Sequence, residues 1–143
     1  MSEDTKKETN ALLNSLLPFA KKMIIEYGEF YPYAGYMDPN GKMTTLAVRE
    51  SNEKKNGSKE FIKLLETLLQ GMCKENKVKA VGLIFDVKIP DPNPDSKTDA
   101  IEIVLEHKDG YAAEVFLPYT RKNDNVIFGK IFAQKGKTNF FVS

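Results

Sequence analysis

The sequence predicts an α+β fold: one domain spanning 1–143, in two layers, with an antiparallel sheet of about five to six strands and two helices on one face of it. Three observations lead there. Apolar residues recur at helical spacing in two stretches, Leu12–Tyr27 and Phe61–Cys73. The second half of the chain alternates apolar and polar residues with no helical stretch between its strands, so parallel crossovers are ruled out and an antiparallel meander follows. The stretch from Asp99 to Tyr119, DAIEIVLEHKDGYAAEVFLPY, places Asp-Gly between two alternating runs, a strong hairpin signal.

The first helix covers roughly residues 5–27, with Leu12, Leu13, Leu16, Leu17, Ala20, Met23, Ile24 and Tyr27 as its apolar face and Gly28 as its stop; Pro18 predicts either a kink or a later start. An aromatic strand, Phe30–Met37, turns at Asp38-Pro39-Asn40-Gly41 and returns over Lys42–Arg49; Pro32 lacks a donor and assigns the aromatic strand to an edge or to a start beyond it. A polar connection, Glu50–Gly57, leads to a second helix from Ser58 to about Glu75, its apolar face carrying Phe61, Ile62, Leu65, Leu68, Leu69, Met72 and Cys73. Val78–Ile89 alternates as a strand. Pro90–Thr98 is a Pro-rich loop. In the hairpin, a three-residue loop, Lys108-Asp109-Gly110, pairs His107 with Tyr111 and Leu105 with Ala113. That register puts Ile101, Ile103, Leu105, Tyr111, Ala113, Val115 and Leu117 on one face and Glu102, Glu106 and Glu114 on the other; a one-residue slip would mix the two sets. Val126–Gln134 is a last strand before a short apolar end, Phe140-Phe141-Val142.

Composition narrows the function classes. The chain has 21 basic and 20 acidic residues, a net charge of +1 that leaves no electrostatic footprint for nucleic acid or an anionic membrane. It has one cysteine, Cys73, which precludes an intramolecular disulfide, and no apolar run approaches a membrane span, so a cytoplasmic location is expected. The N-terminal MSEDTKKETN lacks the apolar core of a signal peptide.

His107 is the single histidine, and no nucleophile motif accompanies it, so a structural role at a strand end is preferred to a general base. Cys73 lies near a helix C-terminus, where the dipole disfavours a thiolate, and is read as a small hydrophobe. Asp91, Asn93, Asp95, Asp99 and Glu102 follow the ligand spacing of a calcium loop. Ser96 occupies the glycine position, however, and two prolines stiffen the loop, so no metal and no cofactor are expected. Glu102, Glu106 and Glu114, with Val104 and Phe116 beside them, form an acidic, partly apolar sheet face. Together with Tyr31, Tyr33 and Tyr36 of the aromatic hairpin, this face is the candidate surface for binding another protein. The alternative is a small-molecule binder or enzyme with a helix–sheet cleft around His107, Tyr111 and Tyr119.

The blocks FYPYAGYMDPNGK, AVGLIFDV and KTDAIEIVLEHKDGYAAEVFLPY resemble a family of small bacterial cytosolic proteins with an F-x-P-x-A entry and a D-A-I…E-H…G…V-F-x-P-Y block. The resemblance covers most of 29–119 and brings no catalytic residues with it. In size and architecture the chain is also similar to the small α+β immunity proteins of bacterial toxin systems, which implies a non-enzymatic, protein-binding role; fold alone does not fix function.

Overall fold

Alternation and helical periodicity become two helices and seven strands in the computed structural model, which describes residues 3–47, 58–90 and 97–141. The order is α1 (Glu3–Tyr27), β1 (Tyr33–Met37), β2 (Met43–Ala47), α2 (Ser58–Lys74), β3 (Ala80–Pro90), β4 (Lys97–His107), β5 (Ala112–Lys122), β6 (Asn125–Phe128) and β7 (Phe132–Lys135). All strand pairs are antiparallel. The sheet runs β2-β1-β3-β4-β5-β6, and β7 pairs with the other half of β5. The α+β class and the antiparallel sheet agree with the expectation. The central hairpin has the expected register: Leu105 lies opposite Ala113, the His107 N–H bonds the Tyr111 carbonyl, and Gly110 closes the loop at φ +96°.

The layering differs. The helices lie on opposite faces of the sheet. Leu12, Leu16, Ala20 and Ile24 of α1 pack with Ile84, Ile101, Ile103, Leu105, Val115 and Leu117. Leu65, Leu69 and Cys73 of α2 pack instead with Ala34, Val81, Leu83 and Phe140. The strands thus carry apolar residues on both faces at the β1–β3 side, as a sheet covered twice requires. The acidic face is the one α2 covers. Glu106 is fully buried and Phe116 is buried against Phe132, with ring centroids 5.2 Å apart. The expectation of an open, solvated face at these two positions is therefore corrected.

Two glycines set how closely α1 approaches. Gly35 and Gly82 are register partners on β1 and β3, and Leu16 fills the notch they leave: a Cβ on either would meet a Leu16 methyl at 2.7 or 2.8 Å. The helix runs through Pro18 without breaking. Its C-terminus is closed by Gly28 at φ +79° and by Arg121 of β5, whose Nη2 donates to the Ile24 carbonyl at 3.2 Å. The last turn of α1 has no basic residue of its own, so Arg121 supplies the charge that complements the helix dipole.

The expected single last strand is split. Tyr119 pairs with Phe128 but Phe116 pairs with Phe132, so two residues of β5 face three of the partner, a β-bulge. Pro118 is the cause: it has no N–H to give the ladder, and only its carbonyl is used, by the Gly129 N–H at 2.8 Å. The bulge turns Phe128 to the α1 face and Phe132 to the α2 face.

Glu106 anchors the chain end. Its carboxylate accepts from the backbone N–H groups of Asn139 at 2.7 Å, Phe140 at 3.1 Å and Phe141 at 2.6 Å. Three donors on one buried carboxylate make a charge-assisted cluster. Glu106→Ala should cost about 3 kcal/mol, because it strands donors that cannot be resolvated without undocking the segment. Urea denaturation of this variant should match that of a chain ending at Thr138; a loss below about 1 kcal/mol would show that the clamp is not stabilising. Phe116→Ala should cost about 3 kcal/mol by the same measurement, as a buried aromatic does.

Candidate functional site

Three places gather polar or aromatic side chains. The first is a cleft of about 650 Å³ between α2, the sheet and the chain after β7, lined by Glu66, Phe85, Glu102, Val104, Glu114, Gln134, Lys135, Lys137 and Asn139 among others. Glu102 and Glu114 reach it from adjacent strands as diagonal neighbours: Glu102 faces Phe116 across the ladder and Glu114 faces Val104. Gln134 Nε2 donates to Glu114 Oε1 at 2.8 Å. Burial, followed by the charge and hydrogen bond of Glu114, pushes Glu102 up to about 7.

The second lies where the N-terminal turn of α1 meets the β4–β5 loop. His107, buried, receives the Asp109 N–H on Nδ1 at 3.1 Å, so Nε2 carries the proton it donates to Glu8 Oε1 at 2.9 Å. Lys79 also donates to Glu8, and Thr5 Oγ1 donates to Asp109 Oδ2 at 2.8 Å. Hydrogen bonds from Lys79 and then His107 hold the Glu8 carboxyl below the usual carboxylate range. Among the described residues no buried side-chain nitrogen or oxygen lacks a hydrogen-bond partner, and the arrangement here pins the helix to the sheet.

The third is an apolar groove at the β2 side. Phe19 and Met23 of α1, Phe30, Tyr31, Pro32 and Tyr33 of the aromatic segment, and Thr45 and Ala47 of β2 line about 390 Å³ of it. A continuation of about 450 Å³ reaches Tyr27 and Glu29. Phe19 is 52% exposed, Tyr31 49% and Tyr27 69%. Phe19 meets the Tyr33 ring edge-on at 5.3 Å, and Tyr31 meets Phe61 of α2 in the same way at 5.3 Å.

The expected binding residues therefore divide. Glu102 and Glu114 share the cleft, whereas Glu106 and Phe116 are structural. Tyr31 stands in the groove. Tyr33 lines it but is otherwise buried, its hydroxyl bonded to the Leu16 carbonyl and its pKa raised by burial. Tyr36 packs on the α2 cluster. The alternative cleft does not assemble. Tyr119 lies opposite Asp99, eight residues from His107 along β4, a separation of about 26 Å. Its hydroxyl donates to Asp86 at 2.7 Å, and burial followed by that bond raises its pKa, while burial foremost raises that of Asp86. Cys73 is buried on α2, and its thiol is pushed up to about 12 by burial and then by the charge of Glu106. Of the calcium-loop positions, Asp91, Asn93 and Asp95 lie outside the described residues; Asp99 pairs with Lys88 at 3.0 Å, and Glu102 is on a strand. Among the described residues no three His, Cys, Asp or Glu side chains are grouped to hold a metal ion, and no helix is long and apolar enough to cross a membrane.

Glu8, Lys79 and Gln134 were missed in the sequence because their partners lie 20–99 positions away. Phe19 sits at a position that helical periodicity assigns off the core face, the one local signal that could have marked the groove. The chain matches no protein-family model, no curated protein and no solved structure.

The Glu8 network has a defined pH signature. A carboxyl whose pKa is lowered by folding adds stability that is present above its ordinary value of 4.5 and is lost as pH falls through the lower folded value. Between pH 7 and pH 3 the wild-type melting temperature should therefore fall further than that of Glu8→Gln, and the two curves should converge at the acid end. Parallel curves would mean that the network contributes nothing.

Proposed function

We propose that this chain is a non-enzymatic binding protein of the bacterial cytoplasm, which captures another protein through the aromatic groove between α1, the Phe30–Tyr33 segment and β2. The observation that carries the reading is the groove itself: Phe19, Tyr27 and Tyr31 stand half-exposed or more around an apolar trough whose floor, Phe30 and Tyr33, is rigidly packed. Exposed aromatics on a rigid floor are the usual anchors of protein–protein contacts, since tyrosine buries a large apolar area at small entropic cost and keeps a polar end. An immunity-type role, in which the captured protein is a toxin, is one form of this reading and is supported by the resemblance in size and architecture.

A small-molecule ligand in the α2 cleft is the second reading, favoured by the paired carboxyls of Glu102 and Glu114, which replace His107, Tyr111 and Tyr119 as its polar groups. A thermal-shift screen in which Glu114→Gln abolishes a hit would support it.

The capture reading is tested by photo-crosslinking in the producing cell. A crosslinking phenylalanine derivative at Phe19 or at Tyr31 should give an adduct with the same protein, and the same derivative at Lys130, exposed in the bulge between β6 and β7, should give none. Phe19→Ala and Tyr31→Ala should keep the melting temperature within a few degrees and weaken capture of that protein at least tenfold, as loss of an interface anchor does. Adducts at all three positions alike, or none at positions 19 and 31, would overturn the assignment.

A further inference from the structure

We infer that what the aromatic groove takes up is an added β-strand: an extended stretch of the partner pairs with the free edge of β2 and sends every second side chain, large and apolar, into the groove. The inference rests on the capture reading and names the chemistry of what is captured.

β2 pairs with β1 residue for residue over Met43–Ala47, and among the described residues no strand pairs with its other edge. Two bonds decide which backbone groups face that edge. The Asp38 N–H donates to the Lys42 carbonyl at 2.9 Å and closes the β1–β2 hairpin, whereas the Met37 carbonyl is turned toward β3 and accepts the Lys79 N–H at 2.8 Å. Bonded and non-bonded pairs alternate along an antiparallel ladder. Thr44 and Leu46 therefore bond to Tyr36 and Ala34, and the N–H and C=O groups of Met43, Thr45 and Ala47 point away from β1. These donors and acceptors repeat at the two-residue spacing of a strand, which another extended backbone matches along its whole length. The edge is also unguarded. The opposite side of the sheet is broken by the Pro118 bulge into β6 and β7, of four residues each, and Lys135 places a charge on β7. β2 has no proline, no charged residue and no bulge, and its Met43, Thr45 and Ala47 are exposed.

The same alternation aims the side chains of an added strand. Thr45 and Ala47 line the groove with Phe19, Met23 and Tyr31, whereas Leu46 packs on the α2 cluster. Residues paired with Met43, Thr45 and Ala47 therefore project on the α1 side, over the groove, and those between them on the α2 side. A second copy of this chain is a poorer occupant. Antiparallel pairing of β2 with β2 about Thr45 puts Met43, Thr45 and Ala47 of the copy over the groove, and threonine and alanine leave most of its about 390 Å³ unfilled. A partner with phenylalanine, leucine or valine at those positions fills the groove and gains the backbone bonds as well.

The test uses the full, isotope-labelled chain and the blocked heptapeptide Thr-Val-Thr-Phe-Thr-Val-Thr. In the free chain the Thr44 and Leu46 amides should exchange slowly and the Met43, Thr45 and Ala47 amides fast. Millimolar peptide should slow those three and shift their NMR signals together with the Phe19 and Tyr31 rings. N-methylation of the peptide's central phenylalanine, whose N–H faces β2, should weaken binding about tenfold, and N-methylation of the next threonine, whose N–H faces away, should not. Thr45→Pro removes an outward donor and spares the β1 ladder, so it should keep the fold and lose both the peptide and the cellular adduct at Phe19. Should that variant fail to fold, the two methylated peptides decide alone. No shift at β2, equal weakening by the two methylations, or a dimer that Thr45→Pro dissolves would each overturn the inference, the dimer by making a second copy the occupant. An adduct at Phe19 that persists in folded Thr45→Pro overturns the edge pairing and leaves the groove reading standing. Peptide bound in register without adducts at positions 19 and 31 overturns the capture reading and supports β2 as a strand-binding edge.

Discussion

The carboxylate of Glu106 is the constraint that the α2 side of the molecule depends on. A charge with no exposed surface is tolerable only where its acceptor capacity is filled, and here three successive backbone N–H groups from the end of the chain fill it. The consequences spread outward from that contact. Phe140 is carried into the α2 core beside Leu65, Leu69 and Cys73. Asn139 is placed where Gln70 and Glu66 of α2 can bond it, so the chain end and the helix close one wall of the cleft together. The charge also lies close enough to oppose ionisation of the Cys73 thiol, which keeps the cysteine a packing residue.

What the sequence made legible was whatever is decided locally. The hairpin register followed from a choice between two loop lengths, because only one keeps Ile101, Ile103 and Leu105 on the face of Ala113, Val115 and Leu117. The helix faces followed from the 3.6-residue period, with Leu68 and Tyr27 misassigned inward; both prove exposed. Which face each helix covers was not legible. The glutamates at 102, 106 and 114 look alike by alternation, since a strand pattern records a side chain's direction and not what lies above it. Their different environments come from contacts 20–35 positions away: Glu106 meets the chain end, whereas Glu102 and Glu114 line the cleft and Glu114 meets Gln134. The same non-locality hid the clustering of Glu8, Lys79 and His107.

The split of the last strand shows a local signal whose effect is remote. Pro118 was visible as a residue without a donor, but the ladder it breaks belongs to a partner strand 10 or more residues later, and the one-residue bulge there puts Phe128 and Phe132 on opposite faces. The paired glycines are similar. Gly35 and Gly82 read separately as weak points in strands; as register partners they make the recess for Leu16 that lets α1 pack tightly.

These placements also determine where binding can occur. A sheet covered on both faces has only its edges and the rims of its helices to offer a partner, so residues that alternation assigned to an open face are no longer available as a flat binding surface. Glu106 and Phe116 stabilise the fold, and His107 and Tyr119, at opposite ends of the sheet, each bond within it. The aromatic groove and the acidic cleft remain, and they differ in kind. The groove is apolar, with rings exposed above a packed floor. The cleft is polar, and Glu114 of β5 accepts a hydrogen bond there from Gln134 of β7. With only Tyr27 and Tyr31 of the six tyrosines standing at 49% exposure or more, both at the groove, exposed tyrosine surface is concentrated where the helix, the hairpin and α2 meet.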